Sequence, residues 1–149
     1  MSITYWVDHE RRLVMLKCLG VLTVGDLFEY KNDVRVRPEL AGYDELVDLS
    51  EVQEIVMQSI RPLMEAARFA ADLDVDSPRA KVAIFAPTDL MFGMGRVYVA
   101  HRNMADTATK DVEVFRVLAA AMTFLGIKAP LPDENGLPIV LNGGRSATP

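Results

Sequence analysis

The chain has 149 residues, 50% hydrophobic and 25% charged, with a formal net charge of −5. That is enough chain for one domain with a real core, and the acidic balance speaks against nucleic acid, which requires a basic face. The pair Arg35 and Arg37 is too small to reverse that balance. One cysteine, Cys18, excludes an intrachain disulfide, and two histidines, His9 and His101, give no basis for a histidine-rich metal site. No apolar run reaches the ~20 residues of a membrane span. Met1 to Trp6 lacks the basic and apolar regions of a signal peptide, so the expected setting is the cytoplasm.

Ile3 to Val7 and Arg12 to Leu19 read as strands around the polar stretch Asp8–Arg11, which predicts a hairpin ended by Gly20. Thr23 is a candidate N-cap, with Asp26 three residues on in a capping-box-like arrangement. Leu27, Tyr30, Lys31 and Val34 mark one side of the helix that follows, and Pro38 stops it. Leu46 to Leu49 predicts a short strand that leaves the sheet at Asp48–Leu49–Ser50. Val52 to Gln58 has no clear period. Ser59 is the expected cap of the next helix, with Pro62 tolerated in its first turn and Ile60, Leu63, Met64, Ala67 and Ala71 at helical spacing.

Lys81 to Ala86 reads as a buried strand. A helix begins at Pro87–Thr88–Asp89, with Leu90, Met94, Val97, Tyr98 and His101 on one side. Val112 to Phe115 is the next strand, and Val117 to Leu125 is an Ala-rich helix with Gly126 as its C-terminal stop. The order is β-β-α-β-α-β-α-β-α. It predicts an α/β fold: a mixed, mostly parallel five-stranded sheet with an N-terminal hairpin and about four helices. The domain is expected over 1–126. Residues 127–149 form a Pro/Gly-rich tail in which Ile139–Val140–Leu141 suits a short strand or a docking segment, against the plainer reading of a mobile tail.

The run Glu45–Val52, with Lys81–Leu90, Phe92–Gly93 and Val112–Gly126, resembles the STAS-like proteins, which include the bacterial anti-sigma-factor antagonists. The SpoIIAA-like branch is the nearest in pattern, over roughly residues 3 to 126. The resemblance implies a non-catalytic regulatory module. In the antagonists a serine within Asp-Ser-Ser-Gly is phosphorylated by a partner kinase. Laid over this chain, that context falls on Val56, Met57, Gln58 and Ser59, so Gln58 takes the place of the phosphorylated serine and Ser59 follows one place late. The family also resembles lipid-transfer domains of the CRAL-TRIO type, which implies an apolar ligand groove.

Asp48, Ser50, Gln58 and Ser59 are therefore the candidate contact surface for a regulatory protein, with Ser59 as a candidate phosphoacceptor. Each also has a plain structural role: Asp48 and Ser50 can satisfy nearby N–H groups in a turn, and Ser59 can act as a cap. No histidine lies near Ser50 in sequence to activate it as a nucleophile. Gly93 and Gly95 fall inside a helix, where each costs ~1 kcal/mol against Ala. Close approach of another helix, a ligand or a second subunit would offset that cost, so Gly93 is the candidate centre of a homodimer contact. Met64 and Met94 belong to helices whose shared groove would suit a small apolar ligand, the alternative function. No cofactor and no metal ligand set is indicated.

Overall fold

The computed structural model describes residues 3–35, 37–74, 78–128, 140–142 and 145–147. Strand β1 (Ile3–Asp8) and strand β2 (Leu13–Thr23) form the antiparallel hairpin, with Ile3 opposite Cys18 and Asp8 opposite Leu13. Its turn is held by Asp8 Oδ1, which accepts the Arg11 N–H at 3.1 Å. Helix α1 (Val24–Arg35) opens with a reciprocal box. The Asp26 N–H donates to Thr23 Oγ1 at 3.1 Å, and the Thr23 N–H donates to Asp26 Oδ2 at 2.9 Å. Tyr30 of α1 is buried in the core, and Leu27 and Val34 pack against it.

Strand β3 (Asp44–Val56), helix α2 (Arg61–Asp72), strand β4 (Lys81–Phe85), helix α3 (Asp89–Asn103), strand β5 (Asp111–Phe115) and helix α4 (Leu118–Leu125) follow. Strands β2 to β5 are parallel neighbours in chain order. Each right-handed crossover moves one strand across, which puts α1, α2 and α3 on the same face. There Leu16, Leu22, Leu49, Ile84, Met91 and Val99 share one core. Helix α4 lies on the other face, where Ala121 and Leu118 meet Trp6, Met15, Leu46 and Ala83. The mixed sheet of β1–β5 with four helices agrees with the sequence expectation.

Beyond that sheet, strand β6 (Val140–Asn142) pairs antiparallel with β1 through Tyr5 and Leu141, and strand β7 (Arg145–Ala147) pairs with β6. Val140–Leu141 thus belongs to a strand. Ile139 and the rest of 129–139 lie outside the described residues.

Three local expectations are corrected. First, β3 does not leave the sheet at Leu49; it runs for 13 residues to Val56. Its missing period has a physical cause. Lys17 faces Asp48 but Leu19 faces Glu51, and Gly20 faces Val52 but Val21 faces Glu54. Each shift places an extra residue in β3, and a bulge resets which side chains point inward. Second, Ser59 is not a cap. Helix α2 starts at Arg61, and its N-cap position, Ile60, has helical dihedrals (φ −75°, ψ −18°) with no side-chain cap; Pro62 does sit in the first turn. Third, the buried face of α3 is Met91, Gly95, Val99 and Arg102, whereas Leu90 is 58% exposed. Thr88 Oγ1 caps that helix by accepting the Met91 N–H at 3.3 Å.

Gly126 ends α4 in the left-handed conformation, at φ 74°, as expected of a residue there. Gly95 answers the cost of a mid-helix glycine: a Cβ built on it would lie 2.8 Å from Val114 Cγ2. The close approach is therefore between α3 and β5.

Candidate functional site

Among the described residues, strand β4 pairs with β3 at Glu45–Asp48. From Leu49 to Val56, β3 is paired on its β2 side alone among the described residues. Among the described residues β1 pairs with β2 from Cys18 back to Leu13, so Leu19–Thr23 of β2 likewise runs past it. The two strands project as a ribbon. Its inner side carries the buried Leu22, Leu49 and Val52, and Leu19, Val21, Glu51, Glu54 and Val56 are exposed. Val21 and Val56 are each 49% exposed. Lys17 pairs with Glu51 across the base of the ribbon.

Asp48 sits at the last β3–β4 pair, beside the first bulge. Its Oδ1 accepts both the Ser50 N–H at 2.8 Å and the Ser50 hydroxyl at 2.6 Å. The two side chains thus satisfy one another locally. Gln58 and Ser59 lie in the exposed bend between β3 and α2. Ser50 and Val56 are separated by on the order of 20 Å of strand at ~3.3 Å per residue. The four candidates therefore occupy the two ends of one ribbon, not a single cleft. Gly93 lies on the exposed side of α3, where a built Cβ meets open space among the described residues, its own helix backbone aside.

The groove between α2 and α3 contains Met64 and Met104, but Arg61, Glu65, Arg68 and His101 also wall it. Ile60 and Ala105 join the two methionines, so the Met-bearing groove expected between these helices is present, with mixed rather than wholly apolar walls. Met94 lines an apolar cavity of about 80 Å3 between α1, α2, α3 and the sheet. His101 stands on the α2–α3 groove, whereas His9 Nδ1 lies 2.8 Å from the Tyr43 hydroxyl at the hairpin turn. Burial, with Asp48 and Asp26 nearby, pushes the Cys18 thiol up to about 12, so it is no nucleophile.

A buried polar cluster at the opposite end of the parallel strands escaped the sequence reading. Arg102 donates to Asp74 at 2.7 and 3.0 Å, and the Thr109 and Lys110 N–H groups also donate to Asp74. Beside it the Tyr30 hydroxyl donates to Glu45 Oε1 at 2.5 Å. Lys31 and Lys110 stand 3.5 and 3.8 Å from Glu45 Oε2. Burial alone would raise the Glu45 carboxyl, but the two ammonium groups and the Tyr30 hydrogen bond outweigh it and bring it down to about 2. Burial holds the Lys110 ammonium below its usual range despite Glu45. The only signal in the sequence was Glu45 beside the apolar Leu46–Val47.

The topology defines an α/β protein with a SpoIIAA-like fold. No family model and no curated protein matches the sequence. Among solved structures, the chain is similar to an uncharacterised protein from the DUF3478 family with a SpoIIAA-like fold, from Shewanella loihica PV-4. The match has a TM-score of 0.51 at 14% identity and covers 83% of this chain and 94% of the other. Among the described residues, no helix is long and apolar enough to cross a membrane.

Proposed function

We propose that this chain is a non-catalytic regulatory module that docks an extended, basic segment of a partner protein along the outer edge of β3. The supporting observation is the overhang: β4 pairs only up to Asp48, while β3 continues to Val56. An unpaired strand edge offers alternating N–H and C=O groups to an added strand. Val21 and Val56 supply apolar contact, and Asp48, Glu51 and Glu54 make the edge acidic. A second copy pairing there would set acidic side chains against each other, which favours a basic partner over self-association. Asp48 and Ser50 fix the base of the docking edge through their mutual hydrogen bonds. Gln58 and Ser59 border its tip, and no phosphate on Ser59 is required. A cytoplasmic setting completes this reading.

The carrier alternative receives less support. Ligand sites are roughly 300–1,000 Å3; the apolar cavity under the helices is about 80 Å3, and the α2–α3 groove, at about 640 Å3, is open and carries Arg61, Glu65 and Arg68 on its walls.

A labelled peptide of alternating Lys and Val, titrated against the whole chain at low and high salt, tests the proposal. Saturable binding that weakens with salt and is absent for the Glu–Val counterpart supports it. Equal binding of both peptides, or of neither, overturns it. A concentration-dependent dimer mass in native mass spectrometry, lost on Val21→Asp, would assign the edge to a second copy instead.

A further inference from the structure

The geometry points to a binding site, at the amino-terminal end of the parallel strands, for a small oxyanion that also carries a hydroxyl group. A cavity of about 120 Å3 lies there between α1, the turn after Pro38, the end of α2 and Lys110. Lys31, Arg37, Gly42, Glu45, Asp74 and Lys110 are among the residues that line it.

The Glu45 side chain is only 4% exposed. Tyr30 satisfies its Oε1, whereas Oε2 is buried and accepts no hydrogen bond among the described residues. Lys31 and Lys110 are set back from Oε2 at 3.5 and 3.8 Å. Arg37 Nε also donates no hydrogen bond among the described residues, with Asp33 3.8 Å away as its ion-pair partner. The charge of Asp74 is matched by Arg102 in a two-point pair. Among the described residues, Lys31, Lys110 and Arg37 therefore face the charges of Glu45 and Asp33, a positive surplus beside one unfilled acceptor.

Those two features call for different groups on one ligand. Anionic oxygens suit the ammonium and guanidinium groups. A hydroxyl donates to Glu45 Oε2, which a plain anion would leave unsatisfied and would meet charge to charge. A 2-hydroxycarboxylate and hydrogen phosphate both carry this pairing. A cavity of ~150 Å3 holds benzene, so this one suits a compact ligand of that kind. The site is at the far end of β3 from the projecting ribbon and does not depend on the docking proposal.

Calorimetric titration of the whole chain near neutral pH tests the site with two matched pairs, glycolate against acetate and phosphate against sulfate. In at least one pair the hydroxylated member should bind about ten-fold tighter or more, the difference one hydrogen bond to a buried charge makes. The pair that responds identifies the source of the oxyanion. Lys110→Gln should weaken that binding about ten-fold, and Arg96→Gln, on the exposed side of α3, should leave it unchanged. Arg37→Gln serves the same comparison if Lys110→Gln does not fold. Equal affinity within both pairs, or no binding by any of the four at tens of millimolar, overturns the proposal.

Discussion

Arg102, in the last turn of α3, and Asp74, just past α2, hold each other through two hydrogen bonds of 2.7 and 3.0 Å with both side chains buried. Asp74 also accepts the Thr109 and Lys110 N–H groups, so this one carboxylate ties two helix ends to the entry of β5. Breaking a buried pair from one side leaves an uncompensated charge. Arg102→Met should therefore cost about 3–5 kcal/mol in urea unfolding. The double variant Arg102→Met, Asp74→Asn should cost less than the sum of the two single changes, since Asn keeps an acceptor for the amides and removes the stranded charge.

Gly93 and Gly95 should respond in opposite directions to alanine. A Cβ at position 95 meets Val114 Cγ2 at 2.8 Å, and the β-branched Val114 has little freedom to move. Overpacking should outweigh the gain in helix propensity and leave Gly95→Ala less stable by about 1 kcal/mol or more. Gly93→Ala meets no atom within 4 Å and should stabilise the isolated chain, by roughly 0.5–1 kcal/mol. Thermal midpoints of the two variants against the parent check both signs.

The two hydroxyl caps expected from sequence divide in the same way. Thr23 exchanges hydrogen bonds with Asp26, so Thr23→Ala should cost ~1 kcal/mol. Ser59 is exposed and caps nothing, so Ser59→Ala should stay within about 0.5 kcal/mol of the parent. Equal losses in denaturant unfolding would show that Ser59 caps the helix after all.

Acid should weaken the fold through Glu45. Its carboxyl is held near 2 in the folded chain against an ordinary value of 4.5. Between those values the unfolded chain takes up a proton that the folded chain refuses. The stabilisation is complete above 4.5 and is lost as the pH falls towards 2. Asp74 is likewise held below its ordinary 3.8, because Arg102 and the two amide donors outweigh burial, and it adds in the same sense. Glu45→Gln should be less stable near neutral pH and should show a shallower fall between 4.5 and 2 than the parent. Urea midpoints measured across that range check it.

The elements were legible because their signals are local. Thr23 with Asp26, Pro38 after α1, Gly126 after α4 and the apolar runs at Leu46 and Val82 each act through neighbours in sequence, and the strand order follows from right-handed crossovers. The overhang of β3 was hidden because its period is broken by bulges, and a bulge exists only relative to the partner strand β2. The assumed exit at Asp48–Ser50 and the assumed cap at Ser59 both followed from that one shortened strand. Gly95 could not be separated from Gly93 without knowing that Val114 lies beneath it. The cluster of Tyr30, Lys31, Glu45 and Lys110 joins three separate stretches of the chain, and each residue reads singly as surface charge or helix face.

Residue-resolved hydrogen exchange of the whole chain, with and without the Lys–Val peptide, tests the docking claim most directly. The account predicts that amides between Leu49 and Val56 on the edge away from β2 exchange quickly in the free protein and are selectively protected by the peptide, while α4 is unchanged. Protection that falls elsewhere, or edge amides already protected and unaltered by peptide, would contradict it.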